Sequence, residues 1–150
     1  MKERIEHKGE LLGLIIRGDY NPSQTEFFTP NEFKQQVGYI FYDTGQEVAA
    51  HIHHNMPRSL EGTSEVLILK TGHARIDFYS QDKQYLESRE IFPGDIIILV
   101  FGGHGIHFYE PSLLLEIKQG PYIGVQEKER FPSAYPEQEK LKKDGEPLSP

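Results

Sequence analysis

Cysteine is absent from the 150 residues. That excludes disulfides, thiolate nucleophiles and sulfur-ligated metals. Basic residues are in short supply, 16 Lys and Arg against 23 Asp and Glu, and no basic run occurs. A net charge of −7 with a pI near 5.5 argues against a nucleic-acid surface, which needs clustered cations. Long apolar runs are lacking as well: residues 11–16 (LLGLII) are far too few to span a bilayer. The charged start, MKERIEHKGE, carries no apolar core of signal-peptide length. These absences lead to the expectation of a cytoplasmic protein that engages neither nucleic acid nor membrane. No helical period and no internal repeat stands out.

What is present is a series of short apolar segments separated by turn signals. Residues 11–17 (LLGLIIR) predict a strand buried on both faces, and residues 33–42 place Phe33, Val37, Tyr39 and Phe41 on one parity. Residues 48–53 predict the next strand, after a turn at Asp43-Thr44-Gly45. Residues 65–70 and 74–79 form a hairpin about Thr71-Gly72, and residues 85–91 return. Pro93-Gly94-Asp95 is a sharp turn, followed by core strands over 96–100, 106–109 and 113–118. Such spacing predicts an all-β sandwich or closed barrel. At this length the chain is a single domain with a sizeable core, over residues 1–125. Residues 126–150, dominated by Glu, Lys and Pro, form a polar tail expected to be loosely ordered, with Phe131 and Tyr135 as possible anchors of its first half.

The chemistry concentrates in residues 45–72, GQEVAAHIHHNMPRSLEGTSEVLILKTG. In an extended chain His51 and His53 share a face. Two neutral imidazoles and the Glu65 carboxylate suit a borderline divalent metal such as Zn, Fe, Ni or Mn. His54 points to the opposite face and is read as polar surface. Arg58, in the loop between these ligands, could clamp a carboxylate or phosphate through its two-pronged guanidinium.

Gly45, five residues, His51-x-His53, then Glu65, six residues and Gly72 resembles the first motif of the cupins. The eleven residues between His53 and Glu65 form a longer gap than the family's usual one, attributed to an enlarged loop. The second motif is matched by Gly94, five residues, Val100 in place of proline, and Gly102. Strict spacing places its histidine slot on Gly105. His104 lies one residue early and His107 two residues late, and in a regular strand only one of them faces inward. His104 is preferred as the third imidazole, with His107 the alternative.

The resemblance covers residues 33–120, with the Gly102-Gly103-His104-Gly105 turn similar to a small bacterial subgroup. It implies a single jelly-roll barrel of two antiparallel sheets holding a divalent metal on His51, His53, Glu65 and His104. It further implies a small polar substrate, such as a sugar, sugar phosphate or carboxylate. Isomerisation or epimerisation is the leading reaction, with Glu65 and Arg58 as the working side chains. Iron-dependent oxygenation and a non-catalytic ligand-binding module are the alternatives. A homodimer is expected, with residues 11–16 as the candidate exchange strand.

Overall fold

The computed structural model describes residues 1–136; the expected loose tail lies outside the described residues from 137 onward. These residues form ten β-strands with a single 3-10 turn, Val125–Glu127. No helix among them is long and apolar enough to cross a membrane. The strands are β1 (Lys2–His7), β2 (Glu10–Ile16), β3 (Glu26–Phe27), β4 (Gly38–Tyr39), β5 (Glu65–Thr71), β6 (Ala74–Tyr79), β7 (Tyr85–Ile91), β8 (Ile96–Leu99), β9 (Gly103–Phe108) and β10 (Leu113–Lys118).

Five strands make one sheet in the order β1-β2-β8-β5-β10, three make a second in the order β7-β6-β9, and β3 pairs with β4. All pairings are antiparallel. The two larger sheets share a core. Leu67 and Leu69 of β5, Ile97 and Leu99 of β8, and Leu12 and Ile15 of β2 pack with Ala74, Ile76 and Phe78 of β6 and Ile91 of β7. Gly13 permits close approach at the centre: a Cβ there would stand 2.9 Å from the Ile98 carbonyl and 3.1 Å from the Phe78 ring.

The five-stranded sheet is also covered from behind. Leu14, Val66 and Ile98 meet Phe28 and Val37, which flank the β3–β4 pair. Burial on both faces explains why β2, β5 and β8 read as nearly continuous apolar runs. One end of the sandwich is tied by charge. Asp95 is buried and accepts from Arg17 Nη1 at 2.7 Å, the Gly18 amide at 2.8 Å and the Phe92 amide at 3.1 Å. Arg17 Nε in turn reaches Glu3 at 2.7 Å.

Three expectations are corrected. The predicted strand over 33–42 reduces to β4, because the Gln36 amide donates to the Pro30 and Phe33 carbonyls at 2.8 and 2.9 Å and closes a turn there. The predicted strand over 48–53 is not formed: residues 43–63 contain no strand and are exposed. Without strands from this stretch the sheets stay separate, so the described residues make an open sandwich and not a closed barrel. β1 was not anticipated; its KERIEH sequence buries only Ile5 fully, too little apolar content to signal a strand.

Candidate functional site

Glu65 opens β5 on the same parity as Leu67 and Leu69, which face the core. Its carboxylate therefore enters the space between the sheets at their open end. His104, near the start of β9, shares parity with Ile106, which packs on the same core. The two residues belong to different sheets, and they meet: His104 Nε2 lies 3.2 Å from Glu65 Oε2. His107 has the opposite parity and lies against Tyr109, ring centroids 5.1 Å apart. Strand pairing accounts for this choice, since β9 begins at Gly103 and opposes Phe78 with His104 and Arg75 with His107.

The pair stands in a cleft of about 560 Å³, lined among others by Tyr79, Gly103, Lys128 and Phe131. Lys128 follows the 3-10 turn and places Nζ 3.0 Å from Glu65 Oε1. The carboxyl is held down to about 2 by its hydrogen bond to His104; burial opposes this shift, and the Lys128 ammonium reinforces it. Glu65 is only 4% exposed, and an ionised carboxylate in such a position needs cations or donors. It has both.

Beyond Lys128 the chain crosses to the outer face of the small sheet. Phe131 packs edge-on against Tyr79 at 5.1 Å, and the Tyr79 hydroxyl accepts from the Ala134 amide at 3.3 Å. Tyr135 is buried and covers the Arg75 guanidinium, 3.3 Å from the ring centroid. Arg75 donates to Asp77 through Nε at 2.7 Å and Nη2 at 3.1 Å. Both expected anchors, Phe131 and Tyr135, thus pack on the domain, and residues 128–136 form a strap over it.

The four expected metal ligands come together in pairs. Glu65 and His104 form one; His51 and His53, with ring centroids 5.1 Å apart, form the other in the exposed stretch without strands. Among the described residues no group of three or more His, Asp or Glu side chains is placed to hold an ion. The described residues bring Glu65 to His104 and His51 to His53 without gathering the four at one point. Arg58 lines a separate shallow depression with His53, His54 and Met56, not the cleft over Glu65. His54 is exposed.

Two cleft residues escaped sequence reasoning. Lys128 stands in a Glu- and Lys-rich tail where no single cation is distinguished. Tyr79 alternates with Arg75 and Asp77, a pattern that ordinarily marks a solvated face. No family model, curated protein or solved structure matches the chain.

Proposed function

We propose that the chain is a cupin-type jelly roll whose working site is the cleft over Glu65 and His104, where a small polar molecule is handled with the help of a divalent metal. The observation that carries this reading is the carboxylate–imidazole contact made across two sheets, in a buried position that opens to a cleft. The residue types agree with the resemblance in both motifs, and His51 and His53 complete the donor set once their segment is brought to the cleft. A divalent ion there would polarise a carbonyl or hydroxyl oxygen.

The chain's own groups supply the rest. Glu65, held as a carboxylate, orients a hydroxyl or accepts a proton. His104 holds a proton at Nε2 or gives it up, and Lys128 places a positive charge beside any anionic group of the ligand. Carboxylate, imidazole and ammonium on one small cleft suit proton shuttling on a carbohydrate or a carboxylated intermediate, and isomerisation or epimerisation is the leading reaction. Fold resemblance alone does not fix the reaction.

A second reading rests on Lys128. With His104 and Lys128 both engaged, the Glu65 carboxylate is already satisfied, which favours a non-catalytic module that captures a polar ligand. Elemental analysis of chelator-free protein, with Glu65→Gln and His104→Ala beside it, separates the two. Stoichiometric metal that both variants lose supports the metal-assisted site. A wild-type protein that takes up no divalent ion rules it out and leaves the binding module.

A further inference from the structure

We infer that the ligand of this cleft carries a protonated amine, which takes the place of Lys128 on the Glu65 carboxylate and finds a further acceptor in Glu127. The inference rests on the cleft over Glu65 and His104 being the working site, as proposed above, and names the chemical class of its ligand. It does not rest on a metal.

A second buried acid has one oxygen idle. Glu127 ends the 3-10 turn and lines the same cleft as Glu65, with its side chain only 8% exposed. Its Oε1 accepts from the Thr63 hydroxyl at 3.3 Å. Lys118 Nζ stands 3.7 Å from the same oxygen, beyond hydrogen-bonding reach. Oε2 is buried and accepts no hydrogen bond among the described residues. A carboxylate oxygen withdrawn from water without a donor is costly, so a donor brought to it binds with gain.

The chain's own amine already occupies the other acceptor. Lys128 Nζ lies 3.0 Å from Glu65 Oε1, while His104 takes Oε2. The Lys128 side chain is 50% exposed, and an ion pair whose cation is half in water is weak. The buried Glu65 carboxylate, by contrast, is left uncompensated if that cation departs alone. What displaces Lys128 therefore brings positive charge and N–H donors with it. A neutral polyol supplies donors without charge, and an anion meets two carboxylates. An ammonium has three donors and demands no fixed coordination geometry, so it is served by these acceptors as they stand. Tyr79 and Phe131 line the cleft as well, and aromatic faces favour a cation. Displacement does not prevent Lys128 from meeting an anionic group elsewhere on the same ligand.

The test is a titration of the full-length protein, in EDTA at neutral pH, with 1,4-diaminobutane and with 1,4-butanediol, followed by nitrogen–proton correlation NMR. The diamine is expected to give saturable shifts at the Glu65, His104, Glu127 and Lys128 amides, with an affinity at least about tenfold above the diol. Glu127→Gln weakens the diamine about tenfold, the value of one charge-assisted hydrogen bond. Lys128→Met removes the internal competitor and tightens it about fivefold. Asp19→Asn removes the same charge as Glu127→Gln but far from the cleft: Asp19 follows Gly18, which abuts Gly94 ahead of β8, whereas the cleft is reached at Leu99 and Val100, past the other end of that strand. It leaves the affinity unchanged. Shifts that do not saturate, a diol bound as tightly as the diamine, a Lys128→Met protein that binds no tighter, or an Asp19→Asn loss equal to that of Glu127→Gln overturns the inference. Should Glu127→Gln fail to fold by circular dichroism, Lys128→Met and the diamine–diol comparison decide. Metal uptake is measured separately. Protein that takes up a divalent ion without preferring the diamine ends the amine reading and leaves the metal; protein that binds the diamine and no ion does the reverse.

Discussion

Replacing Asp77 by Asn tests the covered face of the small sheet. The Asp77 carboxylate is 3% exposed and accepts from Arg75 Nε at 2.7 Å, Arg75 Nη2 at 3.1 Å and Ser88 Oγ at 2.5 Å. Its partner Arg75 is 2% exposed, and Tyr135 closes the remaining side. Asn keeps the shape but removes the charge, and leaves a buried guanidinium uncompensated. Breaking one side of such a pair costs about 3–5 kcal/mol. Arg75→Met leaves the carboxylate stranded instead and forfeits the stacking on Tyr135, worth a further 1–2 kcal/mol or so. Arg75→Met/Asp77→Leu removes both charges together and recovers most of the loss, since apolar replacement of a whole buried pair is often close to neutral. With total stabilities of about 5–15 kcal/mol, Asp77→Asn consumes a large part of the whole and lowers Tm by roughly 10 °C. The chain has no tryptophan, so urea unfolding is followed by far-UV circular dichroism. A cost below about 1 kcal/mol for Asp77→Asn, or a double variant as unstable as the two single losses combined, refutes the reasoning.

Acid should weaken chelator-treated protein in a definite window. Glu65 titrates near 2 when folded against 4.5 ordinarily, so its contribution is full above pH 4.5 and is lost as pH falls towards 2, about 3 kcal/mol in all. Urea midpoints at pH 5, 4 and 3 measure this, and a Glu65→Gln protein with an equally steep decline contradicts it. Glu3 adds to the same trend, because the Arg17 and Arg89 guanidiniums overcome the opposing effect of burial and lower its pKa. Lys128→Met should raise zinc affinity roughly fivefold, the value of one nearby exposed charge in water; calorimetric titration showing weaker zinc binding argues that Lys128 belongs to the site and does not compete for it. Gly72→Ala should cost more than about 1 kcal/mol. Gly72 has φ 96° and an added Cβ would collide with the Ser112 side chain, so an unchanged thermal midpoint speaks against that turn.

Much of the fold was legible because local pattern and burial agree. Residues 74–79, 85–91 and 113–118 are strands with the predicted bounds, each set off by the turn residues that flank it. The site was legible in part. Glu65 and His104 meet because both lie on strands whose neighbours belong to the same chain. His51 and His53 have the same alternation in sequence, but a strand exists only with a neighbour to bond to, and alternation does not reveal whether one is at hand. Arg75, Asp77 and Tyr79 look like a wetted face until Tyr135 arrives from far along the chain to cover it. Neither β1 nor Lys128 announces itself, since charged residues predominate around both.

The strap has a consequence for how the two ends of the molecule communicate. It holds Glu65 by its first residue and Arg75 by its next-to-last described one, on opposite sides of a three-stranded wall. A ligand that draws Lys128 off the carboxylate therefore disturbs a segment that also carries the tyrosine stacked on the guanidinium, and a shift at Tyr135 on filling the cleft is the expected outcome. Tyr135 fluorescence and limited proteolysis after residue 128, each compared with the cleft empty and filled, measure it; no change in either refutes the link.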